Sequence, residues 1–267
     1  MSSIVNQMAN ENDIKTYESF DDMELRDDVL RGIYSIGFDT PSPIQQVAIK
    51  AFLTGKDLIA QAQSGTGKTG AFSIATIQKL DLNINAPQAI ILSPTRELAE
   101  QTYKVISTIG EIENIKPMLA IGGTQLSTNR QALSSGRHVV IGTTGRIIDL
   151  CQRGYLSMEH VKTLIIDEAD EMLSEGFKEQ VRVLFGYLSP ECQIGLFSAT
   201  MDKEVLELSS NFMNEPNRIL MDKDMVTLDG IMQYFVYCEE EPNKFAVIDD
   251  LYNKLNTAQT IIFCNSK

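Results

Sequence analysis

The sequence predicts an α/β fold in which a mostly parallel sheet is covered by helices on both faces. Short, continuous apolar runs alternate along the chain with longer amphipathic stretches. Continuous apolar runs are typical of strands buried on both faces, and their alternation with helices favours a parallel sheet. Polar segments directly follow several of these runs. In a parallel sheet such segments gather at the carboxyl edge, where binding sites lie.

The order of the elements follows from the same patterns. Apolar runs predict six strands, at 57–61, 88–93, 117–121, 138–142, 162–167 and 193–198. Amphipathic stretches predict helices at 22–36, 69–80, 95–110, 125–135, 145–152, 177–188 and 203–213. After a polar stretch at 222–230, which predicts a linker, strands at 231–238 and 260–264 are expected around a helix near 242–255.

Composition indicates a soluble, intracellular protein. Of the 267 residues, 43% are hydrophobic and 22% are charged, a balance that allows a buried core. No apolar run approaches the ~18–20 residues of a membrane span, and the N-terminus lacks the pattern of a signal peptide. The widely spaced Cys151, Cys192, Cys238 and Cys264 predict free thiols in a reducing compartment. The expected location is the cytoplasm, without a membrane partner.

The net charge of −13 does not exclude a nucleic-acid partner. A strongly acidic chain argues against binding a polyanion as a whole. Much of the charge lies near the ends, since residues 1–31 carry −5, residues 222–250 carry −6 and residues 251–267 carry +2. The central residues 32–221 therefore carry only −4, and a local basic groove remains possible there.

The strongest motif is a phosphate-binding loop between a strand and a helix. It reads Ala62-Gln63-Ser64-Gly65-Thr66-Gly67-Lys68-Thr69. The glycines let successive N–H groups point at phosphate oxygens, and the following helix adds the positive end of its dipole. Lys68 can reach the β- and γ-phosphates, and the Thr69 hydroxyl can bind Mg²⁺. The alternative is an ordinary turn rich in glycine and threonine.

A second motif, Asp167-Glu168-Ala169-Asp170, follows a buried apolar strand. A carboxylate at the end of such a strand is costly without a counter-charge, which Mg²⁺ on a triphosphate supplies. In that interpretation Asp167 holds the metal, and Glu168 orients and deprotonates the attacking water. The alternative is an acidic first turn of a helix.

These residues spell D-E-A-D, and together with the phosphate loop the chain resembles the DEAD-box ATP-dependent RNA helicases. The resemblance covers nearly the whole chain, with the motifs in family order. It implies ATP and Mg²⁺ as ligands, with Lys68, Asp167 and Glu168 as catalytic residues. It also implies an acidic flexible tail at 1–19 and a first RecA-like domain, a P-loop NTPase, at 20–221. The linker 222–230 and an incomplete start of a second RecA-like domain at 231–267 follow.

An upstream segment resembles the adenine-reading motif of that family. It comprises Phe20, Gly37-Phe38 and Pro41-Ser42-Pro43-Ile44-Gln45-Gln46. The resemblance implies that Gln45 hydrogen-bonds the adenine edge, that Phe20 stacks on the ring and that Pro43 belongs to the same site. A side-chain amide offers the donor and the acceptor that adenine requires. The alternative for Phe20 is an anchor in the core.

Three further segments resemble the RNA-facing motifs of the family. They are Pro94-Thr95-Arg96, Gly122-Gly123 and Thr143-Thr144-Gly145-Arg146. Hydroxyls, glycine amides, arginines and helix N-termini hold a sugar–phosphate backbone without reading its sequence. Thr144 replaces the proline usual in the family, with a modest effect expected. Helix capping alone is the alternative role for Thr95, Thr143 and Thr144.

Ser198-Ala199-Thr200 resembles the motif that links the state of ATP to RNA unwinding. Its two hydroxyls can bond the Asp167–Asp170 segment and change partners as the γ-phosphate leaves. The alternative is a cap for the next helix.

The resemblance is closest to the translation-initiation-factor branch and implies a scaffold protein as partner. The leading hypothesis is an enzyme that uses ATP to separate short RNA duplexes. The second-domain arginines are absent, so the other domain would have to act in trans. The alternatives are a truncated ATP- and RNA-binding module or decoy, and a P-loop ATPase that is not a helicase.

Overall fold

The computed structural model of the chain describes residues 15–174, 176–201, 203–220, 232, 234–238, 240–255 and 258–264. The side chains of 203, 204, 208 and 242 are not included in that description. The chain divides into two compact units, Met1–Val226 and Thr227–Lys267. No helix of the described residues has the length and apolar character needed to cross a membrane.

A seven-stranded sheet forms the centre of the first unit. Its strands are β1 (Leu58–Gln61), β2 (Ala89–Leu92), β3 (Pro117–Ala120), β4 (Val139–Gly142), β5 (Thr163–Asp167), β6 (Gln193–Ser198) and β7 (Asn217–Ile219). Every neighbouring pair is parallel, and the order is β3-β4-β2-β5-β6-β1-β7. The predicted parallel sheet is confirmed, with six of its strands where the apolar runs placed them.

Helices cover both faces of this sheet. They span Asp27–Ser35, Pro43–Leu53, Lys68–Lys79, Arg96–Ile109, Leu126–Ser134, Thr144–Gln152, Ala169–Met172, Lys178–Phe185 and Lys203–Ser209, after a 3₁₀ turn at Asp21–Met23. Alternate strand residues enter two separate apolar clusters. Leu58 and Ile91 join the cluster under the first four helices, whereas Ile59 joins the cluster on the other face. Burial on both faces explains why the strands are continuously apolar.

Several elements of the first unit differ from the sequence prediction, and the short helix Ala169–Met172 is one that it lacks. The predicted helix 22–36 is broken at Glu24, whose left-handed backbone (φ 54°) separates the 3₁₀ turn from the helix that begins at Asp27. The helix Pro43–Leu53 was not predicted, although Ser42, Pro43 and Gln45 form a helix-start pattern. The strand β7 is only three residues long, too short to give a periodic signal.

The second unit contains one helix among its described residues, at Glu241–Lys254, where one was predicted. The strands predicted around it do not form in their described parts, 232 with 234–238 and 260–264. Phe235 is 93% exposed and Phe263 is 90% exposed. A strand requires a hydrogen-bonded neighbour and an apolar face to cover, and two short segments supply neither. The linker 222–230, most of the tail 1–19 and residues 265–267 lie outside the described residues.

Candidate functional site

The predicted site residues gather along the carboxyl edge of the sheet, in two groups. The phosphate loop follows β1, the Asp167–Asp170 segment begins at the last residue of β5, and Ser198 is the last residue of β6. These three strands are adjacent in the sheet. Thr95, Gly122 and Thr143 follow β2, β3 and β4, which are adjacent on the other side. The strand order therefore separates the segments predicted to bind nucleotide from those predicted to bind RNA, and β5 lies at the boundary between the two groups.

The phosphate loop has the backbone that its sequence requires. Gly65 (φ 79°) and Gly67 (φ 101°) both lie in the left-handed region, where a side chain is strained. The helix Lys68–Lys79 begins at the end of this loop. Lys68 is 5% exposed, and its Nζ donates to the carbonyl oxygen of Ala62 at 3.0 Å. The ammonium is thus held inside the loop, where a phosphate would be enclosed.

Gln45 connects the helix Pro43–Leu53 to this loop. Its Oε1 accepts from the N–H of Ser42 at 2.9 Å, and its Nε2 donates to the carbonyl oxygen of Gly67 at 3.1 Å. A Cβ at position 67 would lie 2.8 Å from Gln45 Nε2, so Gly67 is required for this contact as well as for its backbone. These two bonds leave one donor and one acceptor position of the amide unused, and recognition of an adenine edge by this buried side chain, 3% exposed, stays a prediction.

The prediction that Phe20 stacks on adenine is wrong. Its ring is fully buried, at 0% exposure, and packs edge-on against Tyr34 at 6.5 Å between centroids. A ring with no free face cannot stack on a ligand, so Phe20 anchors the core, as the alternative interpretation held. Phe38 is the aromatic residue beside the loop, since a Cβ at Gly70 would lie 2.8 Å from its Cε2. Phe38 is half-buried and packs against the core only in part.

The acidic segment lies directly opposite the loop lysine. Glu168 Oε2 lies 3.5 Å from Lys68 Nζ, which joins the ends of β1 and β5. Glu168 also has a left-handed backbone (φ 49°), and such strain in a residue other than glycine is characteristic of functional sites. The sequence gives no sign of this conformation.

Asp167 is a buried carboxyl, 4% exposed, at the last position of β5. Burial, reinforced by the neighbouring Glu168 charge, raises the pKa of Asp167 to about 7, and the Lys68 charge opposes the rise only in part. Among the described residues, the hydrogen bond it accepts comes from the N–H of Glu168 at 3.1 Å. A buried carboxylate so poorly compensated suits a divalent cation, and with the Thr69 hydroxyl it supplies the oxygen donors that Mg²⁺ prefers.

We expect this carboxyl to make stability depend on pH. Because the pKa of Asp167 is raised from 3.8 to about 7 by folding, the folded state favours its protonated form. Its contribution to stability is present below the lower value and is lost as the pH rises through the higher one. Thermal unfolding of wild type and Asp167→Asn in a chelating buffer should therefore converge at low pH and separate toward neutral pH, with the variant more stable. Parallel curves would contradict the assignment.

Asp170 is bound to the Ser198–Thr200 segment, as the coupling hypothesis requires. The Thr200 hydroxyl donates to Asp170 Oδ2, and Ser198 Oγ accepts from the N–H of Asp170 at 3.4 Å. Burial alone would raise the pKa of Asp170, but the hydrogen bonds from Thr200 and Ser198 outweigh it and lower that pKa. The pairs form across adjacent strands, so a displacement of the acidic segment would be transmitted to Ser198.

On the other side of the edge, Arg96 and Arg146 approach the two-glycine turn. A Cβ on Gly122 would lie 2.9 Å from Arg96 Nη2, and one on Gly123 would lie 3.0 Å from Nη1, so the turn leaves room for the guanidinium. Thr95 caps the helix Arg96–Ile109 by accepting from the N–H of Leu98 at 3.3 Å. Capping by Thr95 is thus shown, and a contact with RNA remains a prediction, as it does for the buried Pro94.

Thr144 starts the helix Thr144–Gln152 without the cap that its hydroxyl could make. The residue is 1% exposed, and its Oγ1 has no hydrogen-bond partner among the described residues. Thr143 is the residue before the helix, and its side chain makes no cap bond either. Gly145 and Arg146 follow in the first turn. A buried hydroxyl without a partner costs about 1–3 kcal/mol.

We expect Thr144→Pro to stabilise the protein by roughly 1–2 kcal/mol, because it removes this hydroxyl and restricts the unfolded chain. Proline is favoured at the first helical position, and Thr143 already has the extended backbone (φ −89°, ψ 145°) that suits a residue before proline. Thr143→Pro is the matched control, since it removes the N–H bond from Thr143 to Ala120 at 3.1 Å and should destabilise. Melting temperatures that move together in both variants would contradict the prediction.

A cavity of about 520 Å³ opens at the opposite, amino edge of the sheet. Asp57, Cys192 and Gln193 are among the residues that line it, and none of the predicted site residues do. Ligand sites of open α/β sheets lie at the carboxyl ends of the strands, so this cavity is separate from the phosphate loop.

Comparisons with known proteins identify the family of the chain. The chain matches the DEAD/DEAH box helicase family over residues 42–208. It is 49% identical over 253 residues to the ATP-dependent RNA helicase eIF4A of Eremothecium gossypii, a match that covers 95% of this chain and 64% of that protein. It is 51% identical over 258 residues to the probable eukaryotic initiation factor 4A of Trypanosoma cruzi, with the same two coverages.

Solved structures show the same fold. A DEAD box protein from the hyperthermophile Methanococcus jannaschii has a TM-score of 0.75 at 36% identity, over 90% of this chain and 64% of that one. S. cerevisiae Dbp5 bound to RNA and ADP BeF3 has a TM-score of 0.80 at 33% identity, over 89% and 60%. The chain spans 64% of the length of the two curated relatives. Its matched segment, its relatives and its fold together make this chain a member of the DEAD/DEAH box helicase family.

Proposed function

We propose that this chain carries the ATP- and RNA-binding face of an RNA helicase that uses ATP to separate short duplexes. The observation that carries the proposal is the edge of the sheet, where Lys68, Asp167 and Glu168 converge beside the phosphate loop. The RNA-facing motifs occupy the neighbouring strand ends, so one rigid edge can hold both ligands. The structure of Dbp5 bound to RNA and ADP BeF3 supports the same pairing of ligands on this fold.

The roles of the residues follow from their positions. The loop amides and Lys68 bind the β- and γ-phosphates, while Gln45 and Phe38 contact the base. Bound Mg²⁺, held by Thr69 and Asp167, would neutralise charge on the phosphates. Glu168 orients the attacking water and accepts its proton. The hydrogen bonds among Asp170, Ser198 and Thr200 change partners when the γ-phosphate leaves.

RNA binding is assigned to the other half of the edge. Thr95, Arg96, Gly122, Gly123, Thr143 and Arg146 hold the backbone of a single strand without reading its sequence. The names of the relatives in Eremothecium gossypii and Trypanosoma cruzi support a role in translation initiation. They give no support to the decoy hypothesis. A cytoplasmic location and a scaffold protein as partner belong to the proposal as well.

The experiment that tests the proposal is RNA-stimulated ATP hydrolysis by the purified 267-residue chain. Hydrolysis that rises with added single-stranded RNA is the expected result. Nucleotide and RNA affinities, measured on the same sample, separate the two halves of the site. A chain that binds neither ATP nor RNA overturns the proposal, and one that binds both without turnover reduces it to a binding module.

A further inference from the structure

The guanidinium of Arg146 is held in place by neutral groups. Its Nη1 donates to Thr124 Oγ1 at 3.0 Å and to Asn129 Oδ1 at 2.7 Å, and its Nη2 donates to the carbonyl oxygen of Thr124 at 3.0 Å. Three hydrogen bonds fix a long side chain that would otherwise lose rotamer entropy on binding a ligand. Arg146 is therefore preorganised at the carboxyl edge of β4.

Asn129 is the buried member of this arrangement, at 3% exposure on the helix Leu126–Ser134. Its Nδ2 donates to the carbonyl oxygen of Leu119 on β3 at 3.1 Å. Because the amide nitrogen is committed to a carbonyl, the amide oxygen must face Arg146. The side chain thus connects the edge strand of the sheet to the guanidinium and defines its position.

The hydrogen bonds that hold Arg146 leave two of its N–H donors unused. A guanidinium has five N–H donors, and both donors of Nη1 and one of Nη2 are used. The Nε–H and the second Nη2–H have no partner among the described residues. A neighbouring pair of such donors is the fork that binds two oxygens of one phosphate.

The charge of Arg146 is also left uncompensated. Some arginines of this acidic chain pair with carboxylates, as Arg26 does with Glu113 and Arg153 with Asp149. Within the part of the chain that the structure describes, Arg146 makes no ion pair. The amide of Asn129 positions the guanidinium as a carboxylate would, but it does not neutralise the positive charge of Arg146.

We propose that Asn129 is a positioning residue for RNA: it holds the Arg146 fork toward a backbone phosphate while leaving the full positive charge available to that phosphate. The proposal rests on the proposed function, since it assumes that this edge binds RNA. It adds to that function a residue that lies outside the segments identified from the sequence and that acts only through Arg146.

The test compares single-strand binding by the whole chain and its variants, using fluorescence anisotropy with a labelled oligouridylate over a range of salt concentrations. Arg146→Ala is expected to weaken binding about tenfold and to reduce the slope of log K against log salt by about 0.7, the value for one phosphate contact on a single strand. Asn129→Asp should reduce the slope by a similar amount, because its carboxylate neutralises Arg146. Asn129→Ala should weaken binding several-fold.

Two controls separate positioning from a general effect. Gln131→Glu adds the same negative charge on the exposed side of the same helix and should leave the slope nearly unchanged. In the Arg146→Ala background, Asn129→Ala should have no further effect on affinity, because a residue that acts through Arg146 has nothing left to position. Melting temperatures show that each variant is folded.

The outcomes distinguish this inference from the proposed function. If the wild-type chain has no affinity for the oligouridylate, the proposed function itself is overturned. If wild type binds and Arg146→Ala weakens it, but Asn129→Asp keeps the wild-type slope, the inference alone is overturned. An equal loss from Asn129→Ala with and without Arg146 also overturns it, since the effect would then be structural.

Discussion

Replacing Glu168 with glutamine is expected to lower RNA-stimulated ATP turnover by about 10²- to 10⁴-fold, the usual contribution of a general base. Glutamine keeps the shape of the side chain and an oxygen that can face Lys68 Nζ, 3.5 Å away in the wild type. It cannot accept a proton from water. ATP affinity should therefore stay within a few-fold of wild type, and the measurement is single-turnover hydrolysis at saturating RNA.

A matched control is available three residues further on. Glu171 is an exposed acid in the short helix Ala169–Met172, which begins directly after Glu168, and Glu171→Gln removes one negative charge without changing the site. Its turnover should equal that of wild type. Wild-type turnover in Glu168→Gln, or an equal loss in both variants, would remove Glu168 from its proposed role.

The substitution Glu168→Gln should also change the pKa of Asp167 in a predictable direction. The Glu168 charge is the second cause, after burial, of the raised pKa of Asp167. Its removal should lower that pKa, so that Asp167 is ionised, and able to bind Mg²⁺, at lower pH than in the wild type.

The sheet and the edge that carries the site could be predicted from the sequence because both depend on local patterns. A strand buried on both faces is expected to be mostly apolar, and Leu164–Ile166 meets that rule before Asp167 breaks it at the carboxyl end of β5. The strand order then brings the phosphate loop beside Ser198, in register with Gln61 at the end of β1. Motif spacing alone does not contain this proximity, but parallel pairing implies it.

The choice between two phenylalanines could not be made from the sequence. Phe20 and Phe38 have the same chemistry, and the resemblance selected Phe20. Which ring is enclosed depends on the packing of Tyr34 and the surrounding core, and which ring lies beside the loop depends on the glycine at position 70. The burial of Phe20 and the position of Phe38 both depend on tertiary contacts, which no local sequence pattern predicts.

Asn129 was missed for a related reason. An asparagine within a helix is usually a solvent-facing or capping residue, and its partners here are Leu119, ten residues earlier, and Arg146, seventeen residues later. The sequence identified Arg146 through its motif, but only the folded chain shows what holds the guanidinium. The left-handed backbone of Glu168 is hidden from sequence in the same way, because glutamate rarely adopts it.

Replacing Lys68 with alanine is expected to weaken ATP binding by about 10- to 100-fold. The ammonium is 5% exposed inside the loop, so its bonds to phosphate would form in a site poor in water. Hydrogen bonds to charged groups contribute about 1.5–3 kcal/mol each, which corresponds to the expected loss. Titration with a fluorescent ATP analogue measures it, and Lys104→Ala, an exposed lysine on another helix, controls for the loss of one charge.

The comparison of ATP with AMP makes this prediction specific to the phosphates. If Lys68 bonds the β- and γ-phosphates, its removal should weaken the binding of ATP far more than the binding of AMP, because AMP has neither phosphate. A general loss of fold would weaken the binding of both nucleotides alike. Damage to the contact between Gln45 and Gly67 would do the same, because it would disturb the binding of the base. Equal losses for the two nucleotides would therefore place Lys68 in the structure of the loop rather than in the recognition of the triphosphate.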